Sequence, residues 1–146
     1  MRLTHQTDYG LRMLMQLAVN PDSLVTISEV SERYDISKNH LMKVAQLLVR
    51  EGVVESVRGR NGGLKLARPA QDVNIGAITR TMERSSVLVE CFPGGRGACL
   101  ISPACRLKSV LAQALEAFYA VLDEVTLFDL VTSNTPLQGL LEMEQA

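Results

Sequence analysis

The chain has 146 residues and a mass of 16.0 kDa, enough for one compact domain with an attached segment and too little for two large domains. Hydrophobic residues make up 47% and charged residues 21%, which excludes wholesale disorder and collagen-like repeats. Charges nearly cancel, 15 Lys+Arg against 16 Asp+Glu, so the chain does not hold nucleic acid as a simple polycation.

The first helix is expected over residues 7–19, with an apolar face of Leu11, Leu14, Met15, Ala18 and Val19 closed by Pro21 and Asp22. The N-terminus lacks the apolar run of a signal peptide and no stretch is long enough for a membrane span, which predicts a cytoplasmic protein with reduced thiols and no membrane partner. Thr26 and Glu29 match a capping box and start a second helix that runs to Tyr34. Asp35, Ile36 and Ser37 make a turn, and Ser37 is the expected N-cap of a third helix with Leu41, Val44, Ala45, Leu48 and Val49 on its apolar face and Gly52 just past its end. Two helices so joined are a helix-turn-helix.

Residues 53–57 and 64–67 read as two strands around a basic, glycine-rich turn, so a hairpin with a charged tip follows directly. After a polar linker, Ile75, Ile78, Thr79 and Met82 mark a short helix. From Glu90 to Cys105 three Cys, two Pro and three Gly break regular structure, and the segment reads as a loop built around something. Leu107, Leu111, Leu115, Phe118, Leu122 and Val125 then form a heptad-like stripe, suited to packing along a partner helix. The expected fold is mainly α with a small β-hairpin wing. It divides into a winged helix-turn-helix (residues 1–84), a cysteine-bearing loop suited to binding something at its centre (85–106), and a dimerisation helix with its C-terminal tail (107–146).

Charge is segregated along this order. Between Arg33 and Arg68 eight basic residues face three acidic ones, whereas beyond Ser109 there is no Lys or Arg and the acidic residues are Glu116, Asp123, Glu124, Asp129, Glu142 and Glu144. Ser37, Lys38, Asn39, His40 and Lys43 open the third helix with side chains suited to base edges and phosphates. Arg58, Arg60 and Asn61 at the hairpin tip suit phosphates or a minor groove. A basic helix face alone is as often a solvated surface. The succession of capping box, turn, basic helix and basic wing is what favours double-stranded DNA.

The cysteines are spaced Cys91-x7-Cys99-x5-Cys105, too widely for the close pairs of zinc fingers and ribbons. An iron-sulfur cluster is a larger body, and a Gly/Pro loop can wrap it while offering backbone N–H groups to its sulfurs. Three buried structural thiols are the plainer alternative. A fourth ligand is open among His5, His40, Asp8, Glu90 and water, and Asp8 on its own reads best as a carboxylate complementing a helix N-terminus. No catalytic triad or phosphate loop is present, and an electron carrier has no use for a basic helix and wing, so neither an enzyme nor an electron carrier is expected.

Thr7-Asp8-Tyr9-Gly10-Leu11-Arg12, Ser37-Lys38-Asn39-His40-Leu41, Val57-Arg58-Gly59-Arg60-Asn61-Gly62-Gly63 and Ser102-Pro103-Ala104-Cys105-Arg106-Leu107 together resemble the Rrf-type winged-helix iron-sulfur regulators, nearly end to end. The resemblance implies a homodimeric repressor that binds a DNA operator. Its iron-sulfur cluster would be held by Cys91, Cys99 and Cys105, and nitric oxide acting on the cluster would release the DNA. It also implies a fourth ligand from the partner subunit's Asp8, a hard oxygen donor more exchangeable than a thiolate. The first gap is longer than is common in the family. The family's cluster-biogenesis branch holds a 2Fe-2S cluster with a His where this chain has Lys108, which points here to 4Fe-4S, with 2Fe-2S and iron-sulfur-status or redox sensing as the alternative.

Overall fold

The computed structural model describes residues 1–143; Glu144 of the acidic C-terminal part lies outside the described residues. The order is α1 (His5–Val19), α2 (Ile27–Tyr34), α3 (Lys38–Arg50), β1 (Val54–Val57), β2 (Gly63–Leu66), α4 (Ile75–Met82), α5 (Arg106–Asp123), α6 (Leu127–Val131) and α7 (Thr135–Leu141). Short 3-10 turns lie at Ala70–Asp72 and Ser102–Ala104.

Helix α1 starts earlier than the sequence predicts because Thr4 caps it, its hydroxyl accepting from the Thr7 amide at 3.3 Å. Its fully buried face also differs: Thr7, Gly10, Met13, Leu14, Gln16 and Leu17 point inward, while Leu11, Met15 and Ala18 are half-buried at its flanks. The reason is position. α1 runs through the middle of the molecule and touches α3, α4, α6, α7 and β2, so it buries a broad arc rather than one stripe.

The helix-turn-helix forms as expected. Thr26 and Glu29 close the capping box, with the Thr26 amide donating to Glu29 at 2.6 Å and the Glu29 amide donating to the Thr26 hydroxyl at 3.2 Å. Asp35 ends α2 in the left-handed region and Ile36 is buried in the turn. Leu41, Val44, Ala45 and Leu48 of α3 are buried against α1 and α2, leaving Val49 more than a third exposed. Ser37 stands at the N-cap of α3, but its side chain makes no capping bond. Gly52, at φ +72°, follows the end of α3 and turns the chain into the hairpin.

β1 and β2 pair antiparallel from Val54 opposite Leu66 to Val57 opposite Gly63. Val25 adds a bridge to Leu64, with N–O distances of 2.9 and 2.7 Å, so the base of the wing is tied to the loop before α2. Helix α5 contributes no buried residue; it packs on α4, and Leu122 near its C-terminal end lies against the core. The sequence predicts only a tail beyond α5. Instead Thr126 and Asp129 form a second capping box that starts α6, and Asn134 caps α7. Leu127, Val131 and Leu141 are buried, the first two where α6 packs on α1.

Candidate functional site

All eight side chains expected at the DNA surface are exposed: Ser37, Lys38, Asn39, His40 and Lys43 on the opening turns of α3, and Arg58, Arg60 and Asn61 on the wing tip. The buried face of α3 turns these polar groups outward, because the helix repeats every 3.6 residues. Among the described residues Lys38, Lys43, Arg58 and Arg60 form no ion pair, whereas Arg12, Arg50, Lys65, Arg80 and Arg84 each face a carboxylate. Four cations without an ion pair thus lie on the surface expected to meet phosphate, although Arg2, Arg33, Arg68, Arg96, Arg106 and Lys108 also form none among the described residues. The tight wing tip requires glycine, since a Cβ on Gly62 would lie 2.2 Å from the Val57 carbonyl oxygen.

Cys91, Cys99 and Cys105 are free thiols, each half-buried. The loop that carries them is closed by its own backbone: Gly97 N–H donates to the Glu90 carbonyl at 2.9 Å and Gly95 N–H to Phe92 at 2.9 Å. A Cβ on Gly95 would sit 2.2 Å from the Glu90 carbonyl oxygen, so this closure needs glycine there. Cys105 occupies the N-cap of α5 without a side-chain capping bond, which leaves its sulfur uncommitted. Among the described residues no three Cys, His, Asp or Glu side chains converge into a metal-binding group. Three uncommitted thiols on one glycine-bearing loop nevertheless form a donor set of the kind that iron-sulfur clusters take.

Asp8 lies in the first turn of α1, away from that loop's sequence, and is bound to Arg12. Arg12 Nε and Nη2 donate to its two carboxylate oxygens at 3.0 and 2.7 Å, and both side chains are 41% exposed. The Arg12 guanidinium also lies 5.9 Å from the centre of the Tyr34 ring. Of the other candidate ligands, His5 opens α1 with its ring centre 5.5 Å from that of Tyr9, His40 is on the exposed face of α3, and Glu90 is exposed beside Cys91.

Glu83, just before the cysteine loop, was not singled out by the sequence. One of its oxygens accepts from the Thr4 amide at 2.9 Å, the Thr4 hydroxyl at 2.8 Å and the Thr7 hydroxyl. Burial pushes this carboxyl up, but the hydrogen bonds from Thr7 and Thr4 outweigh it and hold it below the usual carboxylate range. The start of α1, with Asp8, is thereby tied to the end of α4. Nothing local in the sequence signals a bond spanning 79 positions.

At the other end of the loop-and-helix segment, Arg80 of α4 clamps Asp123 of α5, with Nη2 to Oδ2 at 2.8 Å, and its guanidinium lies 4.5 Å from the centre of the Tyr119 ring. The hydrogen bond from Arg80 holds Asp123 below its ordinary carboxylate range. Gly76 makes the approach possible, since a Cβ there would fall 1.9 Å from Asp123 Oδ1 and 2.8 Å from the Asp123 amide nitrogen.

Residues 3–133 match the profile of a family described as Rrf2, iron-dependent transcriptional regulator. The chain is 47% identical over 146 residues to the HTH-type transcriptional regulator NsrR of Bacillus subtilis (strain 168), covering 99% of this chain and 100% of that one. It is 45% identical over 145 residues to the regulator of the same name from Halalkalibacterium halodurans, covering 99% of each. Among solved structures it is similar to IscR of T. potens, with a TM-score of 0.74 and 26% identity over 100% of this chain and 94% of that one. The oxidized form of CymR from Staphylococcus aureus gives a TM-score of 0.71 and 25% identity over 90% and 97%.

Proposed function

Because the chain belongs to the Rrf2 family of transcriptional regulators, we propose that it is a homodimeric cytoplasmic repressor whose hold on DNA is set by an iron-sulfur cluster sensitive to nitric oxide. It is a DNA-binding transcriptional regulator and not an enzyme. The observation that carries the sensing part is the set of three free, half-buried thiols on one loop joined to a winged helix.

Cys91, Cys99 and Cys105 would hold the cluster together with the partner subunit's Asp8. A bound 4Fe-4S cluster with one oxygen ligand would supply an iron open to a small diatomic molecule. The chain's own part is to keep the thiols uncommitted, to close the loop through Gly95 and Gly97, and to present Asp8 at the start of α1. Asp8 is held by an exposed i,i+4 pair with Arg12, whose loss costs about 0.5 kcal/mol, so the carboxylate is readily released to another partner. Lys38, Lys43, Arg58 and Arg60 meet backbone phosphates, while Ser37, Asn39, His40 and Asn61 stand where base edges or sugar can be read.

The test is a nitric oxide titration of anaerobically purified protein, following cluster absorbance, iron and sulfide content, and binding to DNA from upstream of its own gene. Loss of a four-iron chromophore in step with loss of binding is expected, with no chromophore retained by Cys99→Ala. Binding that survives destruction of the cluster, or two irons per chain in an insensitive complex, would move the reading to an iron-sulfur-status or redox regulator.

A further inference from the structure

The opening turns of α1 and α3 meet along a column of three rings. His5 and Tyr9 have centroids 5.5 Å apart, and Tyr9 and His40 are stacked at 6.3 Å. Beside the column lies a cleft of about 270 Å³ lined by His5, Gln6, Tyr9, His40, Lys43 and Val44. No carboxylate lines it, and among the described residues neither Lys43 nor Arg2 forms an ion pair. Arg2 brings its guanidinium to the rim, with Nη2 3.2 Å from His5 Nε2. An ammonium, an amide, two imidazoles and a phenol are therefore offered to one space from two elements, with a guanidinium at its edge. Such a set suits a singly charged, multi-oxygen anion.

We propose that this cleft seats a backbone phosphate of the bound duplex, carrying the DNA surface from α3 onto the start of α1. The inference rests on the DNA-binding reading. A duplex rather than a free anion is the occupant for two reasons. His40 and Lys43 belong at once to the cleft and to the exposed face of α3, so a duplex on that face brings its backbone to the opening. His5, Gln6, His40 and Lys43 are all exposed, which leaves a small anion without a desolvated partner, whereas a docked duplex holds its phosphate there at high effective concentration. The contact adds affinity without sequence preference.

The experiment compares wild type, Gln6→Glu, Lys43→Ala and Arg60→Ala, each purified anaerobically. Anisotropy is measured over a salt series on a duplex from upstream of the gene and on a mixed-sequence duplex of equal length. Gln6 is exposed, so Gln6→Glu should melt as wild type does; its new charge beside the phosphate should weaken binding to both duplexes about tenfold. Lys43→Ala should lower the salt slope by about one. Single methylphosphonate substitutions along the upstream duplex should reveal one position at which the Gln6→Glu penalty disappears. Binding by Gln6→Glu within about twofold of wild type, while Lys43→Ala and Arg60→Ala are impaired, overturns the phosphate seat and leaves the DNA surface standing. A penalty unrelieved at every methylphosphonate overturns it as well. Full binding by all three variants overturns the DNA surface itself.

Discussion

Glu83 shows what a single buried group does here. Its oxygen gathers three donors from the start of α1, the Thr7 hydroxyl fully buried and the Thr4 amide and hydroxyl half-buried. Glu83→Ala strands those donors and should cost about 2–3 kcal/mol of stability, read as a lower urea midpoint with an unchanged slope. A midpoint within about 0.5 kcal/mol of wild type would mean the threonines find other partners. At this scale the sequence was legible where function rests on residue type. The thiols, the basic α3 turns and the wing arginines could be named from their chemistry, and the structure leaves them free or exposed. Glu83 and Gly76 could not be named, because each acts through a neighbour far along the chain.

Elements were legible where they carry their own signals. The capping box of α2, the glycine after α3 and the hairpin turn are local, and they appear where expected. The buried face of α1 was misjudged because five neighbours, unseen in the sequence, decide which side is inside. Helices α6 and α7 were missed because their stretches are short and one capping box uses Asp in place of Glu. Glycines separate two kinds of helical contact. Gly76→Ala should drive α4 and α5 apart at Asp123 and lower stability by about 1–3 kcal/mol. Gly139→Ala, in α7 with open space around it, should raise stability by about 0.5–1 kcal/mol. Chemical denaturation of the two variants side by side reads both signs, and equal effects would remove the close approach at Gly76 as a cause.

For the whole molecule the unfinished surface is α5. Leu107, Val110 and Val121 are 60%, 58% and 68% exposed, and no residue of the helix is buried within one protomer. If α5 pairs with a second copy, Val110→Lys combined with Val121→Lys should shift sedimentation from dimer to monomer while the circular dichroism of the head persists. An unaltered sedimentation coefficient would place the contact elsewhere. A site shared between copies, as proposed, would also explain why the sequence could supply the cysteines but not the geometry of their fourth ligand. The way the chain enters and leaves α5 has another consequence. The Leu127 amide bonds back to the Val73 carbonyl, Ile75 to Val125, and Asn20 holds both Leu141 and Met143. The cysteine loop and α5 are thus a detour inserted into a head whose last pieces are made last. A chain still on the ribosome has all of the side chains proposed to meet DNA before it has Leu127, Val131 or Leu141 to close the core over α1. The cysteines are always translated before the head is complete, so a finished DNA-binding unit never precedes the segment proposed to govern it.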